Sequence, residues 1–222
     1  ATSWQDALDK GLAMTDGQTA VGDTGGVGIA FVELMGGPAR QIPGYGGTSE
    51  IAAAMDRGEI TGSSRGNYDN GARLFPEWVE NQRIVPLFTW GADPADDPAF
   101  LEYMVTLGTE VPPTMYEALA MAGIEVTDGQ KTVFDLTNGV NDQLSRTFAL
   151  PAGIPDDIYA FWTKAFEEVL ADPEFIAAAA VANYPVAFGS PEAIRQTISE
   201  GTSALSGQPE LSKLFSDLAG VE

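Results

Sequence analysis

The chain has no cysteine and no histidine. That excludes disulfides, metal–thiolate centres, thiol redox chemistry and imidazole acid–base catalysis. Basic residues are scarce: Lys plus Arg number 11 against 32 Asp plus Glu, for a net charge of −21. Such a chain repels phosphate backbones and anionic lipid surfaces, which argues against nucleic acid and against membrane-surface partners. A solvated surface suited to a saline habitat and generic solubility both fit this charge. Long apolar runs are also missing. The longest, such as 176–182, fall far short of the roughly 20 residues that span a bilayer, so no direct membrane insertion is expected. No charged n-region followed by an apolar h-region opens the chain, and a cleaved signal peptide stays compatible with it.

The charge imbalance has a measurable consequence. Self-repulsion among the acids should be screened as the Debye length shrinks from about 10 Å at 0.1 M to about 3 Å at 1 M salt. The melting temperature should therefore rise between those sodium chloride concentrations. A flat or falling profile would show that repulsion is not a significant term.

What is present suffices for a sizeable core. The 222 residues are 44% hydrophobic, enough for one large or two small domains. Residues 3–12 read as a helix capped by Ser3, with Trp4, Leu8 and Leu12 on one face. Residues 19–22 read as a short strand, 22–28 as a glycine turn and 29–35 as an apolar helix ended by Gly36-Gly37-Pro38. A second strand over 40–45 leads into Gly44-Tyr-Gly-Gly-Thr-Ser-Glu50, then a helix over 51–57 and a strand over 59–63. Strand, glycine turn and helix thus recur, which is α/β organisation with parallel strands.

Further on, helices are expected over 70–81 (Leu74, Trp78 and Val79 inward) and 114–122, with strands at 83–90 and 146–150. Residues 123–139 show no clear pattern. The breaker-rich 91–98 segment marks a lobe boundary. Residues 156–170 carry an amphipathic stripe of Ile158, Phe161, Trp162, Ala165, Phe166, Val169 and Leu170, read as core packing. Helices over 173–182, 191–200 and 209–218 complete the chain; Ser190 caps the second, with Pro191 at its first position.

The two glycine turns carry the candidate chemistry. Gly46 and Gly47 permit close backbone approach, and Thr48 or Ser49 would cap the following helix and leave its first N–H groups free. Such a helix end favours anions. Thr24, Gly25, Gly26 and Gly28 would offer donors from the other turn. The spacing from Gly22 to Gly28 does not match G-x-G-x-x-G, and no acid ends the 40–45 strand, so an anion-binding turn or a structural turn fits better than a dinucleotide site. Ser63, Ser64, Arg65 and Asn67 end a strand in the same layer, where ligands of open α/β sheets bind. Tyr45 fits either a cleft wall or the core. Asp93, Asp96 and Asp97 lack the glycine and closing glutamate of an EF-hand loop. Asp135, Asn138, Asn141 and Asp142 meet the same objection, and neither a metal nor a cofactor is expected.

Four blocks in order resemble the substrate-binding receptors of tripartite tricarboxylate transporters, the Bug-type periplasmic receptors. They are Thr2-Ser-Trp-Gln-Asp-Ala-Leu8; Gly22-Asp-Thr-Gly-Gly-Val-Gly28; Tyr45-Gly-Gly-Thr-Ser-Glu50 through Arg57-Gly-Glu-Ile-Thr61; and Phe148-Ala-Leu-Pro-Ala-Gly-Ile-Pro155 with Leu170-Ala-Asp-Pro-Glu-Phe175. Thr61 stands where the pattern has an aspartate, and the Pro-Gly-Gly-Gly type loop of the family's first lobe has no counterpart. The resemblance implies an α/β, two-lobed architecture like that of type II periplasmic binding proteins, with the N-terminal half of the first lobe missing. Residues 1–90 would form the second ligand-binding lobe, and 91–222 the hinge crossover and C-terminal helices of the first.

The implied function is extracytoplasmic, periplasmic capture of a small organic anion, a carboxylate foremost, for membrane transporter subunits, with no covalent step. The implied ligand-binding residues are Thr24, Gly25, Gly26, Gly28, Tyr45, Gly46, Gly47, Thr48, Ser49, Thr61, Ser63 and Ser64. Two rivals remain: a serine-dependent hydrolase working without histidine through Ser49 or Ser63, and a regulatory or adaptor lobe without ligand. Serine nucleophiles usually need a histidine base, and none of Lys10, Lys131, Lys164 and Lys213 adjoins a serine motif.

Overall fold

The computed structural model describes residues 1–64, 76–91, 98–144, 147–181, 186 and 188–220. The chain is mixed α/β and mostly helical. Among the described residues its sheet has two parallel strands, β1 (Met14–Gln18) and β2 (Ala39–Pro43), in register from Met14 opposite Ala39 to Gln18 opposite Pro43. Between them run a 3-10 turn (Thr24–Gly26) and helix α2 (Val27–Leu34), so β1–α2–β2 is a parallel crossover unit. Helix α1 (Trp4–Asp9) precedes the unit and α3 (Thr48–Asp56) follows it.

Two compact units divide the chain. Residues 1–138 and 207–222 form the first, and residues 139–206 the second. The lobe boundary expected at 90/91 falls inside the first. There α4 (Pro76–Glu80), α5 (Pro98–Leu107), α6 (Met115–Met121), most of α7 (Asp128–Leu144) and α11 (Pro209–Ala219) join the sheet unit. The second unit holds α8 (Asp156–Leu170), α9 (Pro173–Val181) and α10 (Pro191–Leu205). No helix among the described residues is long and apolar enough to cross a membrane.

The core of the first unit follows from its apolar side chains. Ile29, Phe31 and Val32 of α2 are buried together with Met115, Leu119, Val133 and Phe134. Phe31 and Phe134 lie 5.0 Å apart between ring centroids. Trp4 anchors α1: its indole N–H donates to Ala118 O at 2.7 Å and its ring meets Phe88 edge-on at 5.2 Å. Ser3 caps α1 by accepting the Asp6 N–H, as its sequence position predicts. Leu12 lies beyond the helix end and is exposed.

Several sequence expectations are corrected. The first strand is not 19–22 but β1, whose Met-Thr-Asp-Gly-Gln lacks the apolar alternation that marks a strand. Residues 59–63 make a single bridge, Gly62 beside Asp16, rather than a strand. Hydroxyls supplement the backbone pairing there: the Thr61 and Gly62 N–H groups donate to Thr15 O at 3.2 and 3.1 Å, Thr15 N–H donates to Thr61 Oγ1 at 2.8 Å, and Thr61 N–H also reaches Thr15 Oγ1 at 2.9 Å. The expected 83–90 strand also reduces to one bridge, Thr89 beside Thr114. Pro112 and Pro113 on the facing segment have no N–H with which to extend it.

The patternless 123–139 stretch contains the start of α7. A reciprocal Thr127–Gln130 cap opens that helix, and Val133, Phe134 and Thr137 form its inward stripe. The expected 70–81 helix is described only over α4, where Trp78 is buried; Leu74 lies outside the described residues. Residues 147–150 are irregular and exposed rather than a strand, and Arg146 lies outside the described residues. In the second unit α8 has the expected bounds, but its stripe is not core. No residue of α8 is buried, and Phe161 is 63% exposed.

Candidate functional site

The candidate site lies at the carboxyl edge of the two parallel strands. Gln18 ends β1, and its carbonyl accepts the N–H groups of Gly44 and Tyr45 at 3.0 and 3.1 Å. That bond pair ties the start of the 44–47 loop to the end of β1. Both glycine turns therefore leave the same edge, where open parallel sheets place ligands.

A buried polar cluster forms the floor. Asp16 and Gln18 alternate with Gly17 along β1, so they share one face of the strand, and both have 0% exposure. The Asp16 carboxyl accepts the Ser64 N–H at 3.0 Å, and also the Ser64 hydroxyl and the Gln18 side-chain N–H. Among the described residues, the buried amide oxygen of Gln18 has no hydrogen-bond partner. Gly26 makes room for this amide: a Cβ there would lie 2.4 Å from Gln18 Nε2. On the opposite face, a Cβ at Gly17 would lie 2.7 Å from Ile60 Cδ1 and 3.1 Å from Ile51, so glycine lets α3 pack onto the strand.

The first glycine turn is an intramolecular structure. Asp23 accepts the Gly25 N–H at 3.1 Å and the Thr19 N–H at 3.2 Å, and also takes the Thr19 hydroxyl. The Gly26 N–H donates to Asp23 O at 2.8 Å. Gly28 is the second residue of α2 and is buried; a Cβ there would meet the Trp90 ring at 2.6 Å. Gly22 faces the end of α11, where a Cβ would come within 2.3 Å of Ala219 O. Gly22, Gly26 and Gly28 thus serve close packing, and the Gly25 donor is already occupied. Thr24 belongs to the 3-10 turn.

The second turn differs. Gly47, not Thr48 or Ser49, is the N-cap of α3, and no side chain caps it. Thr48 and Ser49 are the first two helical residues, because the chain turns one position earlier than their hydroxyls would favour. Glu50, the third, reaches back past the cap so that its carboxylate accepts the N–H of Gly46, the residue before the N-cap, at 2.6 Å. Among the described residues, the N–H groups of Gly47, Thr48 and Ser49 have no hydrogen-bond partner. Tyr45 packs against the Ile51, Ala54 and Ile60 cluster. A Cβ at Gly47 would meet nothing within 4 Å, so the space in front of α3 is open.

The remaining candidates divide. Ser64 is buried against Asp16, Ser63 is exposed, and Thr61 is engaged with Thr15. Arg65, Asn67, Asp93, Asp96 and Asp97 lie outside the described residues, as do the side chains of Asn141 and Asp142. Asp135 accepts the Tyr116 hydroxyl at 2.7 Å. Among the described residues, no group of three or more acids is placed to hold a metal ion.

Sequence reasoning passed over Asp16 and Gln18, whose signal was only a period of two within a polar strand. It also passed over the blocking roles of Asp23 and Glu50. Those two have local signatures: an aspartate two residues before a glycine N–H, and a glutamate three residues after a cap. Comparison of the chain with protein-family models, with curated proteins and with solved structures finds no match.

Proposed function

We propose that the chain is a solute-binding receptor that takes up a small organic anion, a carboxylate foremost, at the first turn of α3. The observation that carries this reading is the set of three unpartnered N–H groups at Gly47, Thr48 and Ser49, opening onto free space. Unpaired N–H groups and the helix dipole together favour negative charge there. The resemblance to tripartite tricarboxylate receptors supports it further. On that reading the architecture is two-lobed and periplasmic, a membrane transporter is the partner, and lobe closure buries the ligand. Catalysis has less support. The Ser64 hydroxyl is already committed to Asp16, and the chain offers no imidazole to activate Ser49 or Ser63.

The Glu50 carboxylate competes for this anion site, since it already occupies the neighbouring Gly46 donor. Glu50→Gln removes the like charge and should tighten binding of succinate or benzoate by roughly tenfold, the worth of one charge-assisted hydrogen bond. Gly47→Asp adds a like charge and should abolish binding. Isothermal calorimetry on the parent and both variants decides. Equal affinities for all three would move the anion away from α3 and overturn the proposal.

A further inference from the structure

We infer that the first unit carries a second, separate binding site, an open groove of about 460 Å³ between the end of α6 and the start of α7, which takes a monocarboxylate with an apolar tail. Its volume is within the roughly 300–1,000 Å³ of small-molecule sites. Ala120, Ile124 and Val126 supply apolar wall, and Tyr116, Glu125 and Lys131 supply the polar groups. The site goes beyond the α3 reading and does not depend on it.

The wall is rigid. Tyr116 lies edge-on to Phe31 and Phe134, with centroids 6.3 and 6.1 Å away, and its hydroxyl donates to Asp135 at 2.7 Å. Burial and the Asp135 carboxylate push the phenol pKa well up, so the ring stays neutral. The Lys131 ammonium stands 5.7 Å from the Tyr116 ring centroid. Its ion pair with Asp128 is loose, at 3.8 Å, and the Asp128 side chain is fully exposed, so that pair holds the ammonium weakly. A ligand carboxylate at hydrogen-bond distance would displace Asp128, while an alkyl or aryl tail covers Ala120, Ile124 and Val126. Glu125 carries a like charge among the lining groups, which disfavours a second carboxylate and selects a single-headed acid.

The test is an amide-resolved NMR titration of the full chain with hexanoate, and with hexan-1-ol as the uncharged control. Hexanoate should shift the amides of Ala120, Ile124, Val126 and Lys131 saturably. Hexan-1-ol should bind at least about tenfold more weakly, for want of the charge-assisted bond. Lys131→Met keeps an apolar stem and should reduce hexanoate to the affinity of the alcohol. The hexanoate–hexanol comparison on the parent keeps the test decisive if that variant folds poorly. Absence of shifts at these amides, or equal affinity for acid and alcohol, would overturn the site. Shifts confined to Gly47, Thr48 and Ser49 would overturn it as well, while leaving the α3 reading intact.

Discussion

Gly22→Ala should lower the stability of the chain by about 3–5 kcal/mol, seen as a shift of the urea midpoint at constant slope. Two costs combine there. Gly22 has φ +75, where an L side chain is strained by about 1–2 kcal/mol. Its Cβ would also come within 2.3 Å of Ala219 O and 2.7 Å of Gly220 N, which are backbone atoms that no rotamer change can move aside. Gly220 meets the mirror problem, with φ +65 and a Cβ position 2.5 Å from Val21 O. Two glycines thus let the end of α11 lie directly on the first glycine turn. Gly36→Ala is the control, because Gly36 has φ +82 and open space around it. It should cost only the strain, about 1–2 kcal/mol. Equal losses at the two positions would show that close backbone approach contributes nothing at Gly22.

That contact bears on what the sequence made legible. A glycine-rich turn before a helix is visible in the letters, and both turns are turns. The letters do not say what approaches the glycines. At Gly26 it is the Gln18 amide, at Gly28 the Trp90 ring, and at Gly22 the end of a helix nearly two hundred residues away in sequence. Such contacts are tertiary, and no local pattern encodes them. Two helix caps were legible for the opposite reason, since a cap is a local event. Ser3 and Ser190 each accept a backbone N–H of the first turn that follows.

Amphipathic spacing fixed the bounds of α8 correctly but not its surroundings. A stripe of Ile158, Phe161 and Trp162 says that a face is apolar, not that anything covers it. The polar strand β1 failed in the other direction. Its Asp16 and Gln18 are buried because a distant serine satisfies Asp16, and burial of that kind leaves no apolar trace in the sequence.

That buried carboxyl group carries the other large expected effect. Asp16→Ala should cost about 3–5 kcal/mol, against a typical total stability of about 5–15 kcal/mol. The substitution strands two donors, the Ser64 N–H and the Ser64 hydroxyl, and leaves the Gln18 side-chain N–H only its longer bond to Ser64 Oγ at 3.3 Å. Ser64→Ala removes only the hydroxyl and leaves the backbone bond to Asp16, so it should cost about 1–1.5 kcal/mol. Asp16→Asn should fall near the milder variant. Its side-chain oxygen can still accept the Ser64 N–H. Its new N–H₂ can donate to the Gln18 oxygen, which has no partner among the described residues, once the Gln18 amide turns over. The ranking Ala, then Asn, then Ser64→Ala in order of decreasing loss, read from urea midpoints, follows from counting stranded donors. An Asp16→Ala chain as stable as Ser64→Ala would mean that the carboxyl group does not hold residue 64 to β1. The floor beneath the glycine turns would then need another explanation.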